Sequence, residues 1–314
     1  MFAYVLRRLV QIPLVLVVVS LTIFIIVRAT PGDPVQIMLG MQTSPEAEAA
    51  LRKAFRLDRP VAEQYVLWVF DILRGDLGNS IRLNQPVADL LMERFPISLK
   101  LALASIAFAI AVSIPLGVAA ALWRNSWVDY LCTGFTLVSF SVPNFALALI
   151  LIFVFSIQLE WFPITGIGSG SPASWREAAM PYVLPSISLG ILQVAVLTRL
   201  LRSSMIDVLS QDYIRTAHAK GLLPVTVIVI HGLRNALIPF VTMVVIQFGF
   251  LVGIQVTIEY VFAIPGMGSA MLSAVVNRDF PVIQGFTLVI AMFFLLANIF
   301  ADVMYSILDP RIRL

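Results

Sequence analysis

Six long stretches of this chain are apolar and contain no Asp, Glu, Lys, Arg or His. About 20 such residues, at about 1.5 Å each, cross the roughly 30 Å hydrocarbon layer of a membrane as a helix. In that layer each backbone amide must be paired within its own segment, and the stretches lack the alternation typical of barrel strands. We therefore predict an all-α integral membrane protein with six transmembrane helices. The helices are expected at about residues 9–27, 101–123, 131–159, 180–198, 235–258 and 280–301.

The segment between the first two predicted spans, residues 28–100, is different because it carries nine basic and nine acidic residues. Short amphipathic patterns predict one helix that begins with Pro45 after Ser44, a second over about 65–72 and a third over about 87–96. We interpret the segment as a helical extracytoplasmic insertion between helices 1 and 2. It is either a cap that keeps the spans together or a landing surface for a soluble partner.

Composition and charge distribution narrow the class of protein further. Of the 314 residues 60% are hydrophobic and only 12% are charged, whereas soluble domains carry about 25% charged residues, so a soluble protein is excluded. With the N-terminus inside, ten basic residues fall on inner segments and two on short outer loops, which predicts that both termini are cytoplasmic. This distribution also argues against nucleic-acid binding. The inner residues are Arg7, Arg8, Arg124, Arg199, Arg202, Arg215, Lys220, Arg234, Arg311 and Arg313, and the outer ones are Arg176 and Arg278.

The inner loop between predicted spans four and five, residues 199–234, is long enough to hold a helix of its own. Ser210 is a suitable cap, Asp212 and Lys220 match the helix dipole at the two ends, and Gly221 is a suitable stop. Apolar and small residues at three-then-four spacing predict an amphipathic helix, and a helix lying on the membrane surface would give the same pattern. These residues are Ile206, Leu209, Tyr213, Ala217 and Gly221.

Residues for catalysis, nucleotide binding or metal binding are not evident. None of the three lysines follows a glycine as a phosphate-binding loop requires, so we expect no ATP site and no other cofactor on this chain. The two histidines, His218 and His231, lack a nearby second cluster of ligands, and we predict no metal site. Cys132 is the single cysteine and falls in the third span. The spans also lack the ionisable residues of a proton relay, so energy should come from a partner.

The loop itself carries the strongest signal, because residues 212–221 and 233–239 read DYIRTAHAKG and LRNALIP. This sequence resembles the signature loop of ABC importer permeases. Arg215, Thr216 and Ala217 occupy the positions where the general signature has Glu-Ala-Ala, and Pro239 lies further downstream than in sugar transporters. Both departures are similar to the dipeptide, oligopeptide and nickel branch of the family, although His218 stands where an arginine is usual.

The resemblance extends over nearly the whole chain through several short motifs in a fixed order. They are Gly32-Asp33-Pro34, Gly75-Asp76-Leu77-Gly78, Arg202-Ser203-Ser204, Glu259 with Val261, Phe262, Pro265, Gly266 and Gly268, Arg278-Asp279 with Pro281, and Asp309-Pro310-Arg311. The resemblance implies a single transmembrane permease domain over residues 1–314 with the type I ABC importer permease fold. It also implies a multi-pass subunit of the bacterial inner membrane that is not itself an enzyme.

Partners follow from the same resemblance. It implies a second homologous permease subunit, two ATP-binding subunits that hold ATP and Mg, an extracytoplasmic substrate-binding protein, and surrounding membrane lipid. The loop would couple to an ATPase, with Tyr213, Ala217 and Gly221 packing against it and Asp212, Arg215 and Lys220 fixing its orientation. The coupling residues implied in this way are Asp212, Tyr213, Arg215, Thr216, Ala217, Lys220 and Gly221.

The substrate remains open at this level. Di- or oligopeptides are the first expectation, and glutathione, opines or chelated nickel are alternatives. From another class, a self-sufficient secondary carrier or channel would need ion sites or a selectivity ring in the spans, and a non-transporting assembly factor would show no solute dependence. Polar residues inside the spans either line the path or bond neighbouring helices. These candidates are Asn144, Gln193, Gln247, Gln255, Gln284 and Asn298.

Overall fold

A computed structural model describes residues 2–29, 44–54, 56, 58–164 and 174–308, and these ranges are almost entirely helical. We number the helices in chain order. They are α1 (Phe2–Ala29), α2 (Pro45–Ala54), α3 (Val61–Leu73), α4 (Val87–Leu122), α5 (Trp127–Ser141), α6 (Asn144–Gln158), α7 (Trp175–Leu209), α8 (Asp212–Ala219), α9 (Pro224–Ile254), α10 (Val256–Val261), α11 (Met267–Val276) and α12 (Phe280–Leu308). The motifs at residues 32–34 and 309–311 lie outside the described residues.

Within those ranges, α1, α4, α7, α9 and α12 are each long and apolar enough to cross a membrane. The third predicted span is not one helix, because α5 and α6 meet at an angle of 102°. Val142 and Pro143 are extended at the break, with ψ of 121° and 136°, and a residue that precedes proline is driven out of the helical region. The six predicted stretches are therefore five continuous helices and one broken pair.

The insertion contains two of its three predicted helices as separate elements. α2 begins at Pro45 and α3 covers the second pattern, after which the chain turns at Gly75 with a φ of +85°. The third helix begins at Val87 as predicted, but its predicted end at Pro96 is wrong, because α4 continues through Pro96 into the second span. The single hydrogen bond that a proline removes is outweighed here by burial on both sides of it, and membrane helices tolerate such prolines.

The centre of the bundle is a close contact between α4 and α7. α4 and α7 run in the same direction and pack extensively. Small residues allow this contact, since a Cβ on Gly190 would lie 2.8 Å from the Phe108 ring and from the Ser105 carbonyl oxygen. A Cβ on Gly117 would lie 2.9 Å from Leu201. Glycine at such contacts is typical of membrane helix packing. α9 and α1 both pack against α12 on the outside of this pair.

The two ends of the bundle carry different elements. The α8 end holds the ends of α4 and α7 together with α8. The insertion end holds the starts of α4, α7 and α12, the residues 74–86 that follow α3, and the short helices α10 and α11. The insertion also contacts α1, where the rings of Phe24, Tyr65 and Trp68 pack together and Tyr65 shares a 2.9 Å hydrogen bond with Ser20.

Candidate functional site

The helix α8 is eight residues long and rests on a small apolar patch. Ile214 and Ala217 are buried against Val227 of α9, and Leu209 at the end of α7 packs onto the same patch. Ala217 is only 6% exposed, so its contribution in this structure is to hold α8 against the chain.

The other six predicted coupling residues lie on the exposed surface of α8 and the turn after it. The carboxylate of Asp212 and the guanidinium of Arg215 are 3.5 Å apart, but both side chains are more than 80% exposed, so this pair contributes little to stability. The Tyr213 hydroxyl accepts a 3.1 Å hydrogen bond from Asn235 on α9. The exposed residues are Asp212, Tyr213, Arg215, Thr216, Lys220 and Gly221. The helix therefore presents a polar and aromatic surface away from the bundle.

The structure moves the predicted start of α8 and keeps its predicted end at Gly221. Ser210 is not its cap, because Ser210 closes α7 and its hydroxyl donates to the Asp207 carbonyl. The residue before α8 is Gln211, whose side chain forms no capping bond. Ile206 and Leu209 consequently belong to α7, and the predicted single face is divided between two helices. Gly221 does end α8, with a φ of +75° that favours glycine.

Polar residues inside the spans are only partly brought together. The Gln247 side chain of α9 donates a hydrogen bond to the Gln193 side chain of α7. Asn298 donates to the Phe294 carbonyl one turn earlier in its own helix, at 3.0 Å. Gln284 is buried and Asn144 is half-buried, far apart along the chain. The pair of Gln193 and Gln247 therefore bonds two helices, and Asn298 bonds within its own helix.

Gln255, between α9 and α10, is the exception among these polar residues. It is fully buried, and neither its side-chain nitrogen nor its oxygen has a hydrogen-bond partner among the described residues. Burying an amide without partners costs about 1–3 kcal/mol for each group. The burial of the Gln255 side chain is therefore not explained by any hydrogen bond among the described residues.

Sequence reasoning missed a partly buried ion pair near the α8 end. Asp129 of α5 has a side chain that is 5% exposed, and Arg202 of α7 donates to both of its carboxylate oxygens at 2.6 and 2.7 Å. The backbone amide of Asn125 donates to the same carboxylate at 3.0 Å. The predicted spans themselves hold no ionisable residue, but α5 and α7 extend beyond them and include this pair. The pair was missed because both residues lay just beyond the predicted span limits.

A second missed group lies at the insertion end. Glu259 of α10, which follows the span ending at Ile254, is fully buried. It accepts hydrogen bonds from the Ser98 hydroxyl of α4 at 2.5 Å and from the Ser269 amide of α11 at 3.0 Å. Burial raises the pKa of the Glu259 carboxyl, because the charged form loses contact with water, and these hydrogen bonds oppose the rise. Gly266 allows this approach, since a Cβ there would lie 2.4 Å from the carboxylate.

Asp279, at the start of α12, makes a similar connection. It is buried and accepts hydrogen bonds from the Ser80 hydroxyl at 2.5 Å and from the Ile81 amide at 3.0 Å. The Arg82 amide donates to it at 3.3 Å. Both carboxylates were quoted within sequence motifs, but their burial required partners about 160 and 200 residues away along the chain, which no local pattern reveals.

In the part of the chain that is described, no group of three or more His, Cys, Asp or Glu residues is close enough to hold an ion. The buried carboxylates already bind serines, backbone amides or an arginine. These contacts fix the helices and loops against one another. Several apolar spans with a short polar-faced helix at one end define a multi-pass membrane protein.

The chain belongs to a family of importer subunits. The family described as binding-protein-dependent transport system inner membrane component matches residues 113–314, and the model of its N-terminal membrane component matches residues 1–102. The chain is thus a permease subunit of an ABC importer, a multi-pass membrane protein that works with ATPase and substrate-binding components. It is not an enzyme, because the partner ATPases hydrolyse ATP.

Relatives match the chain over its full length. It is 39% identical over 313 residues to the glutathione transport system permease protein GsiC of Salmonella typhimurium (strain LT2), a match that covers 100% of this chain and 99% of the relative. The protein of the same name from Escherichia coli O6:H1 is 40% identical with the same coverage. The match places this chain in the dipeptide and oligopeptide branch of the family.

Solved structures support the fold alone, because their sequence identity is low. The MetNI methionine ABC transporter in inward-facing conformations gives a TM-score of 0.59 at 16% identity, and the match covers 70% of this chain and 96% of that one. An amino acid ABC transporter gives a TM-score of 0.50 at 12% identity, covering 71% and 94%. The predicted permease fold is confirmed by these matches.

Proposed function

We propose that this permease pairs with a second, homologous permease and two ATPase subunits to import short peptides, glutathione among them, across the bacterial inner membrane. The observation that carries the substrate class is the full-length match, at 39–40% identity, to permeases named for glutathione transport. Glutathione is itself a tripeptide. Nickel chelates and opines remain the alternatives against which this substrate is tested.

The exposed surface of α8 is the contact with an ATPase subunit in this proposal. Tyr213 and Gly221 pack against the ATPase, and Asp212, Arg215 and Lys220 orient the two subunits. Ala217 acts from the inner side of α8, because its burial against Val227 keeps the helix attached to α9. ATP and Mg are held by the ATPase subunits, and this chain binds no cofactor of its own.

The proposed topology places α8 and both termini in the cytoplasm and the insertion outside, where an extracytoplasmic binding protein delivers substrate. Ten inner and two outer basic residues support this orientation. Exposed apolar side chains along α1 fit contact with lipid. Examples are Leu14, Val17, Val18, Ile25 and Ile26.

The test is reconstitution of the whole complex in proteoliposomes with its binding protein and internal ATP. Uptake of labelled glutathione is compared with uptake of an opine and of nickel supplied with a chelator, and ATP hydrolysis is measured in parallel. We expect ATP-dependent glutathione uptake together with substrate-stimulated hydrolysis. Preferential uptake of the opine or the nickel chelate would contradict the substrate class.

Liposomes that contain this chain without ATPase subunits provide the control for the rival class. A carrier or channel would move solute in that preparation, whereas a permease subunit would not. Uptake without the ATPases would overturn the coupling part of the proposal.

A further inference from the structure

A pocket of about 450 Å³ opens at the insertion end of the bundle. Its walls come from the segment after α3, the start of α4, and the residues around α10 and α11. The volume falls within the range of about 300–1,000 Å³ that small-ligand sites occupy. The lining residues used below are Arg82, Leu90, Arg94, Glu259, Ser273 and Asp279.

The two carboxylates in the wall are already engaged. Glu259 accepts hydrogen bonds from Ser98 and Ser269. Asp279 accepts them from the Ser80 hydroxyl and from the backbone amides of Ile81 and Arg82. Both side chains are buried. They therefore shape the pocket by fixing its walls and are poorly placed to bind a ligand.

The two arginines have hydrogen-bond donors to spare. Arg82 donates to the Ser273 hydroxyl at 2.9 Å, and Arg94 donates to the Pro265 carbonyl at 3.2 Å. Both of these acceptors are uncharged. Arg82 has no carboxylate side chain within ion-pair distance among the described residues, and Arg94 pairs only with its neighbour Glu93 at 3.3 Å. A guanidinium carries five N–H donors, so most of this capacity is unused.

One of the unused donors is buried. The Nε atom of Arg94 is inaccessible to water and has no hydrogen-bond partner in the described part of the chain. A buried donor without an acceptor is unfavourable, particularly on a charged group. The rest of the Arg94 side chain is 25% exposed and lines the pocket.

We propose that this pocket binds a carboxylate of the transported peptide, through Arg82 and Arg94, as the substrate enters the permease. Arginine suits this role, because its planar fork binds a carboxylate with two parallel hydrogen bonds. Leu90 supplies an apolar wall beside the charged groups. The inference rests on the proposed function, since it assigns a subsite for the peptide class of substrate.

The test uses the complete complex in proteoliposomes, with binding protein and internal ATP. The probes are glutathione and its two monoamides, in which one carboxylate at a time is converted to an uncharged amide. The variants are Arg94→Gln, Arg82→Gln and Arg94→Lys. Because the same binding protein is present throughout, its own preference cancels in the ratio of variant to wild-type uptake.

We expect Arg94→Gln and Arg82→Gln to lower the kcat/KM for glutathione by about ten-fold, the effect of losing one charge-assisted hydrogen bond. Uptake of the monoamide that lacks the bound carboxylate should fall less than about two-fold. Arg94→Lys should recover part of the glutathione uptake, because the charge is kept and the fork is lost. Arg74→Gln is the matched control, since Arg74 lies over the Phe70 ring on the same insertion, and its glutathione uptake should be unchanged.

Other outcomes are distinguishable. If glutathione and both monoamides fall by the same factor and the binding protein binds the complex more weakly, the arginines dock that protein and the carboxylate subsite is wrong. An unchanged glutathione uptake in both Gln variants also overturns it. If wild type moves none of the three probes while it imports an opine or chelated nickel, the peptide proposal itself fails. The melting temperatures of all variants are compared with that of wild type. If Arg94→Gln unfolds, uptake by Arg82→Gln decides the test, because Arg82 is exposed.

Discussion

At the α8 end a short helix rests on a few apolar side chains, whereas at the insertion end buried carboxylates bind the backbone and hydroxyl groups of neighbouring loops. Ile214 and Ala217 provide most of the first attachment. Glu259 and Asp279 provide the second, through charge-assisted hydrogen bonds that are about twice as strong as neutral ones. The comparison shows a loosely attached surface for a partner at one end and a fixed framework at the other.

The largest expected effect is that of Glu259→Ala, which removes the acceptor of the Ser98 hydroxyl and the Ser269 amide. Each buried donor left without a partner costs about 1–3 kcal/mol, so stability should fall by about 3 kcal/mol and the melting temperature in detergent by at least about 5 °C. Glu63→Ala, at an exposed pair with Arg59, is the control and should change little. Equal melting temperatures for the two variants would contradict the fixed framework.

The next effect concerns the glycine beside that carboxylate. Gly266→Ala places a Cβ 2.4 Å from Glu259, and overpacking of this kind costs about 1–3 kcal/mol. Gly134→Ala in α5 meets no atom within 4 Å and should be neutral or slightly stabilising. Thermal unfolding of both purified variants measures the difference, and a destabilised Gly134→Ala beside an unaffected Gly266→Ala would refute it.

A smaller change in stability, with a large change in activity, is expected for Ala217→Asp. The new carboxylate would lie against Ile214 and Val227 and would detach α8 from α9. Substrate-stimulated ATP hydrolysis by the complex should be lost, while the melting temperature of the bundle should change by only a few degrees. Ala217→Ser, which adds a small uncharged group at the same position, should keep most of the coupled hydrolysis. Normal complex assembly and hydrolysis in Ala217→Asp would disprove the assignment of α8.

Tyr213→Phe should have the smallest effect on the fold. It removes only the hydroxyl that accepts a hydrogen bond from Asn235 at the surface, so the expected loss of stability is below about 0.5 kcal/mol. The ring remains available to the ATPase, and coupled hydrolysis should stay within about two-fold of wild type. A melting temperature that falls as far as in Glu259→Ala would show that α8 is held more firmly than the comparison states.

Local pattern was sufficient for the number of spans, for α2 and α3, and for the existence of α8, because each depends on periodicity or on a run of apolar residues. Local pattern did not show which prolines break a helix. Pro143 breaks a span, whereas Pro96 lies inside a continuous helix, and the difference is set by packing on either side. Periodicity also placed the start of α8 incorrectly at Ser210, since the bend between α7 and α8 depends on how both pack.

The buried charges could not be found from local pattern for a different reason. Arg202 and Asp129 are neighbours in space only after α5 and α7 are packed, and the partners of Glu259 and Asp279 are as remote along the chain. A motif marks such residues as part of a family. Their contacts come from the tertiary fold.

The ion pair between α5 and α7 also constrains how the protein is made. Asp129 and Arg202 are separated by 73 residues, so at roughly 5–20 residues per second about 4–15 s pass between their synthesis. During that interval the carboxylate of Asp129, in the first turn of α5, lacks its Arg202 partner. The ion pair that joins α5 to α7 therefore forms only after α7 has been synthesised.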